Sequence, residues 1–128
     1  MLSWMYAEER IVSEIEAGLR WEVAWLGEAA VGFYAVEVTA GGEAKLHKLY
    51  LLPELQGRGH GQVMIARANE VVRELGATEL WLQVNKQNTR ALRAYERAGF
   101  RRVKEAVAEI GGGFVMDDFI LSRPVGGE

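Results

Sequence analysis

Leu49-Tyr50-Leu51-Leu52-Pro53-Glu54-Leu55-Gln56-Gly57-Arg58-Gly59-His60-Gly61 is the stretch on which the fold turns. An apolar run of strand character is stopped by Pro53, which has no amide donor. Three alternating glycines then lead into a segment of helical spacing. Glycines admit positive φ and let a ligand approach the main chain closely. The first amides of a helix point outward without intrahelical partners, and the helix dipole places partial positive charge there. Arg58 and His60 interleave with the glycines, so the stretch favours an anion, and a diphosphate is the natural guest. A glycine-rich turn with no ligand is the plainer reading. Three alternating glycines with cations at a helix start weigh against it.

Downstream, Met64, Ala68, Val71, Val72 and Leu75 mark one face of a helix closed by Gly76. Glu79 to Val84 reads as a buried strand, and Thr89 to Ala98 as a helix ended by Gly99. Phe100 to Ile110 and Phe114 to Leu121 read as two strands joined at Gly111-Gly112-Gly113. Upstream, Ala44 to Leu52 is a strand preceded by a turn at Gly41-Gly42. Before it, Trp21 to about Thr39 forms an antiparallel hairpin around Gly27-Glu28. At the front, Ile11, Ile15 and Leu19, with Val12 beside them, predict a short amphipathic helix from about Ala7 to Gly18. The order is helix, three-strand meander, helix, strand, helix, hairpin. This is a mixed α/β domain, α+β-like, with helices flanking a mostly antiparallel twisted sheet. The strand-helix-strand crossover in the middle supplies one parallel pair.

The 128 residues make one domain, long enough to bury roughly two thirds of its unfolded surface without staples. Hydrophobic residues at 49% and charged residues at 26% match globular averages, which argues against disorder. The absence of cysteine excludes disulfides, thiolate zinc sites and cysteine nucleophiles, and no metal is expected. Fifteen basic against eighteen acidic residues, net −3, is a poor match to nucleic-acid binding. Charge interrupts every apolar stretch, so no membrane span is expected. Met1-Leu2-Ser3-Trp4 lacks the basic flank and apolar core of a signal peptide, so the cytoplasm is the expected compartment.

Three nucleotide patterns compete for the glycine stretch. The Walker loop needs Gly-Lys followed by Ser or Thr, and Gly61 is followed by Gln62. The dinucleotide fingerprint needs a third glycine where Gln62 stands, and it wants a parallel βαβ start rather than a meander. Gln-x-x-Gly-x-Gly does fit, through Gln56, Gly59 and Gly61. A second block follows about thirty residues on: Val84-Asn85-Lys86-Gln87-Asn88, then Ala91, Tyr95, Gly99 and Phe100. Together the two blocks resemble the acyl-CoA signature and the Asn-x-x-Ala-x-x-x-Tyr-x-x-x-Gly-Phe segment of the GCN5-related N-acetyltransferases (GNAT). The likeness runs from about Tyr6 to Arg123. The ending Gly113-Phe114-Val115-Met116-Asp117-Asp118-Phe119 is also similar to the last hairpin of polyamine-type and ribosomal-protein-type members.

The resemblance implies transfer of an acetyl group from acetyl-CoA, as cosubstrate, to a primary amine in a ternary complex. It sets the backbone of Gln56, Gly57, Arg58, Gly59, His60 and Gly61 around the pyrophosphate. It lays pantetheine along Leu49, Tyr50 and Leu51, where that strand diverges from Glu79–Val84, with the amide near Leu51 polarising the thioester carbonyl. Asn88, and with it Asn85, would meet the cofactor's amide arm; Asn88 also suits an N-cap. Tyr95 is the implied general acid for the departing thiolate, since a phenol of pKa ~10 lies close to a thiol of ~8.5. Simple packing is the other role open to it.

A base is needed as well, because an alkyl ammonium of pKa ~10.4 is neutral only to about one part in a thousand at pH 7. His47 is the candidate, against a structural role or a water chain ending at Asp117 or Asp118. Lys45 and Lys48 would repel a polycation. Lys86, Arg90 and Arg93 read as a solvated helix face, with contact to the nucleotide's phosphate the alternative. Trp4, Trp21, Trp25 and Trp81 read as packing, with the acceptor pocket open to Trp21 and Trp25.

Family domains usually begin with a strand and one or two helices before the meander, whereas Leu2-Ser3-Trp4-Met5-Tyr6 reads like the middle of such a chain. The domain, residues 1–128, is therefore expected to be shortened at its front, with a sheet edge and an apolar face uncovered. A partner subunit or a longer gene product would supply the cover, and a homodimer is the expected assembly. Three functions follow from this: an N-acetyltransferase, an acyl-CoA-binding module without turnover, or a subunit active only in a dimer. Peptide α-amines, lysine side chains, polyamines and aminoglycosides all stay open as acceptors.

Overall fold

A computed structural model describes residues 2–5 and 18–126; the expected helix from Ala7 lies outside them. The elements are β1 (Leu2–Met5), β2 (Leu19–Leu26), β3 (Ala29–Val38), β4 (Glu43–Leu51), α1 (His60–Glu74), β5 (Glu79–Asn85), α2 (Thr89–Arg97), β6 (Arg101–Gly111) and β7 (Phe114–Pro124). The strands form one sheet in the order β1-β2-β3-β4-β5-β7-β6. Every neighbouring pair is antiparallel except β4 and β5. This is the mixed sheet with one parallel pair that the crossover requires.

β1 is a strand the sequence pattern does not announce. It pairs with β2 from Leu2↔Leu26 to Met5↔Val23, at the edge where the meander is expected to begin uncovered. Four residues are too few to show a period, so the partner strand decides their conformation.

One face of the sheet carries both described helices. Ile65, Ala68, Val71 and Val72 of α1 are buried against Tyr34, Val36, Leu46, Leu80 and Leu82, and Met64 of the same helix against Ala24, Val31 and Leu51. Leu92 and Phe100, from α2 and just beyond it, join the same core. Burial of each such side chain contributes about 1.5–3 kcal/mol, so α1 is held by its apolar stripe. Leu75, grouped by sequence with that stripe, falls at the C-cap and is 47% exposed.

A polar staple reinforces the same contact. Glu22 on β2 is 3% exposed, yet it accepts hydrogen bonds from Arg67 of α1 through Nε and Nη2, both at 3.0 Å. The Tyr34 hydroxyl donates to the same carboxylate, and Arg20 Nη2 lies 3.3 Å away. Burial pulls the Glu22 carboxyl up. The hydrogen bonds from Arg67 and Tyr34 and the charges of Arg67 and Arg20 outweigh it and hold the group below the ordinary carboxylate value. Burial and the carboxylate together push the Tyr34 phenol well above its usual range. A strand glutamate facing inward is invisible to an alternation argument; only its partners make it tolerable.

Candidate active site

The site begins with a slip in register. Ala35 pairs with Lys48 but Val36 with Leu46, which leaves His47 as the extra residue of a β-bulge in β4. Bulges bend and twist the strand that carries them and re-aim a side chain. The parallel ladder between β4 and β5 holds only Glu43↔Glu79, Ala44↔Leu80 and Lys45↔Trp81, and it ends two residues before the bulge. Beyond that point the strands splay, and the β5-facing edge of β4 is unpaired from Leu46 to Leu51.

Peptide groups along a strand alternate between its two edges. The Leu52 amide donates to Val31 O at 2.9 Å on the β3 side, so the Leu51 amide points the other way, into the splay. Gln56 Nε2 donates to Leu51 O at 3.0 Å and ties the glycine loop to the end of β4. Opposite Leu51 stands Gly32, where a Cβ would meet Tyr50 O at 2.5 Å and Met64 Cε at 3.0 Å. Only glycine lets β3, β4 and α1 approach this closely.

The splay opens into a cleft of about 370 Å³ whose walls include Phe33, His47, Leu49, Tyr50, Asn88 and Tyr95. On the helix side a second space of about 270 Å³ shares Leu49, Asn88 and Tyr95 and runs on to Leu51, Gln56, Gly57 and Gly61. Residues thirty or more apart in the chain thus meet across one opening. Gly57 and Gly59 take φ of 83° and 86°, and Gly59 is the N-cap of α1, so the first amides of that helix are offered at the loop. Asn88 caps α2 by accepting from Ala91 N at 3.2 Å and also lines both spaces.

Tyr95 borders both spaces. Its ring packs edge-on against Phe100 with centroids 5.5 Å apart, and burial pushes its phenol up to about 12. His47 Nε2 lies 2.7 Å from Glu37 Oε1, so the bulge residue has a carboxylate to orient its ring. The aspartate pair is engaged elsewhere. Asp117 Oδ1 is 2.7 Å from Lys86 Nζ, which also contacts Glu105, and Asp118 accepts from Gln83 at 3.1 Å. Asn85 faces Asp118 at 3.5 Å and accepts from Gln87 N at 2.9 Å, and it stands outside the cleft walls.

The cations lining the space beside the loop come from α2, among them Arg90 and Arg93, for which the sequence leaves phosphate contact as the alternative. Arg58 and His60 are not in the walls of these spaces. A third space, of about 380 Å³, is lined by Gly57, Gly59, Gly61 and Gln62 and by Arg90, Arg93 and Arg97 of α2. Gln62 Nε2 donates to Ala94 O at 2.9 Å and fixes α2 against α1. The three arginines recur at helical spacing on one face. That signal is present in the sequence, but only packing turns the face toward the loop. Among the described residues no cluster of metal-ligating side chains occurs, and no helix is long and apolar enough to cross a membrane.

A strand splayed from its parallel neighbour, with a glycine loop at its end, is the architecture of an acyl-CoA transferase domain. The family model described as Acetyltransferase (GNAT) family matches residues 3–100, and this chain belongs to that family. Streptothricin acetyltransferase of Streptomyces lavendulae is 37% identical over 70 residues, covering 54% of this chain and 37% of that protein. Spermidine N(1)-acetyltransferase of Thermoplasma acidophilum is 28% identical over 107 residues, covering 77% of this chain and 66% of that protein. The matches therefore span between about two fifths and two thirds of these relatives' lengths. Among solved structures, nourseothricin acetyltransferase superposes with TM-score 0.76 at 28% identity, over 86% of this chain and 67% of that one. An IAA acetyltransferase of Bacillus cereus shares the fold with TM-score 0.79 at 19% identity, over 97% of this chain and 98% of that one.

Proposed function

We propose that this chain transfers the acetyl group of acetyl-CoA to a primary amine by direct attack in a ternary complex. The observation that carries the reading is the β4–β5 splay, with the Leu51 amide directed into it, Tyr95 on its wall and the glycine loop at its end. A PaiA N-acetyltransferase from Thermoplasma acidophilum, 25% identical with TM-score 0.71 over 91% of this chain, was solved in complex with coenzyme A. The fit to this site is chemical. The loop amides and the α2 arginines offer positive potential for the pyrophosphate and the 3′-phosphate, and the unpaired edge of β4 offers main-chain partners to the pantetheine amides.

In the reaction the neutral amine nitrogen forms a bond to the thioester carbonyl carbon. The oxyanion is held by the Leu51 amide. The C–S bond breaks, the thiolate takes a proton from Tyr95, and the attacking nitrogen loses one to His47 or to solvent. The products are the amide and CoA thiol. A phenol at about 12 is a weaker acid than the unperturbed group, and against a thiol of ~8.5 in water the transfer is uphill by roughly 5 kcal/mol. A thiolate leaving inside the same buried cleft is destabilised for the same reason as the tyrosinate, which narrows that gap. Oriented by Glu37, His47 stands on the cleft wall in the position of a general base.

Thiol release from acetyl-CoA in the presence of a panel of amines tests the reading. Binding of acetyl-CoA with no release by any amine would make the chain an acyl-CoA-binding module instead. The reading carries with it a cytoplasmic homodimer that needs no nucleic acid, membrane or metal. Sedimentation as a monodisperse monomer would remove the dimer.

A further inference from the structure

The face of the sheet away from α1 holds a hollow of about 280 Å³ beside the cleft, and Phe33, Lys48 and Tyr50 belong to the walls of both. Three aromatic rings from adjacent strands stand side by side there. Trp21 and Phe33 have centroids 5.7 Å apart, and Phe33 and Tyr50 stack at 5.5 Å with 29° between their planes. Tyr50 is 45% exposed, so this shelf shows an open ring to whatever approaches the cleft from that side. The volume is near the lower end of the range for small-molecule sites, about 300–1,000 Å³.

The charge on this wall is positive. Lys48 Nζ stands 5.2 Å over the Trp21 ring, so one of the chain's own ammonium groups already occupies a ring face of this wall that attracts cations. Among the described residues neither the hollow nor the cleft has a carboxylate in its walls. The nearby acids are engaged: Glu37 with His47, and Asp118 with Gln83 and Asn85. A chain with several ammonium groups would meet Lys48 with no free acid among the described residues to pair it. A single amine on a flat apolar body would stack on the exposed ring and present its nitrogen to the opening.

We infer that the acceptor is a monoamine with an aromatic body, seated on the Phe33–Tyr50 shelf, and not a polyamine. This rests on the acetyl-transfer reading above. The experiment measures kcat/KM for 2-phenylethylamine, butylamine and spermidine, with the dissociation constant of acetyl-CoA measured separately by calorimetry. The expected order is phenylethylamine first, at least tenfold above spermidine, with butylamine between. Tyr50→Ala, a change at a half-exposed ring, should lower the phenylethylamine value about tenfold more than the butylamine value, with the acetyl-CoA dissociation constant of the variant measured alongside to account for any effect on the cofactor. Lys48→Glu should raise the spermidine value. Spermidine equal to or better than phenylethylamine, or a uniform loss across all three acceptors in Tyr50→Ala, would overturn the inference while acetyl transfer stood. Tight acetyl-CoA binding with no transfer to any amine would instead remove the acetyl-transfer reading, and this inference with it.

Discussion

Replacing Tyr95 by Phe removes one oxygen and leaves the ring that packs on Phe100 at 5.5 Å. Among the described residues the Tyr95 hydroxyl has no hydrogen-bond partner, so its loss leaves no orphaned donor or acceptor behind. The fold should therefore change by no more than about 0.5 kcal/mol. Loss of a positioned general acid, by contrast, slows the chemical step typically by about 10²–10⁴-fold. The two readouts are well separated. Urea unfolding should overlay for the two proteins, the acetyl-CoA dissociation constant should agree within twofold, and kcat should fall by at least about a hundredfold. The pH profile adds a second check. Because burial holds the phenol at about 12, the wild type should show no basic limb from Tyr95 below about pH 11. At its ordinary value, near 10, the limb would begin a full two units lower. Unchanged kcat in Tyr95→Phe would refute the acid role and leave Tyr95 as packing alone.

Glu22→Gln strips the charge from a carboxylate that satisfies Arg67 twice at 3.0 Å, and it should destabilise by about 3 kcal/mol, near 10 °C in Tm for a domain of this size. Because the folded carboxyl lies below its ordinary 4.5, its stabilisation is present above that pH and is lost as pH falls through the lowered value. The acid limb of wild-type stability should flatten in the variant, and an unaltered limb would place that dependence elsewhere. Gly32→Ala drives a Cβ to within 2.5 Å of Tyr50 O and must displace β4 or α1. A loss of about 1–3 kcal/mol by thermal melting is expected, together with a fall in kcat because the Leu51 amide moves with its strand. The double variant Arg90→Ala/Arg93→Ala should weaken CoA about tenfold by calorimetry and leave 3′-dephospho-CoA little changed. An equal loss for both would take these arginines away from the 3′-phosphate.

The parts of the site that repeat a local pattern are legible in the amino-acid sequence. Gln56, Gly59 and Gly61 before a helical stripe, and Asn88 with Tyr95 on the next helix, need only spacing to be placed on opposite sides of one crossover. The parts that are not legible depend on register and rotation. The bulge at His47 leaves no composition signature, because a strand with one extra residue has the same residue types as one without it. Glu22 looks like the polar member of an alternating strand, and only the approach of Arg67 from α1, forty-five positions on, explains its burial. Arg58 and His60 draw attention by adjacency to the glycines. Arg90, Arg93 and Arg97 reach the same place from α2 because Gln62 and the core turn that helix toward the loop. β1 escapes a reading by pattern because four residues have no periodicity of their own.

The central claim is that acetyl-CoA occupies the splay between β4 and β5. Thermal unfolding with acetyl-CoA, CoA, ATP and NAD at equal concentrations tests it most directly. At a hundred times its dissociation constant a ligand stabilises by about 2.7 kcal/mol, which is several degrees for a domain of this length. The account predicts that shift with acetyl-CoA and CoA, and none of comparable size with ATP or NAD. A cooperative melt that acetyl-CoA leaves in place, or that NAD raises as much, would contradict it.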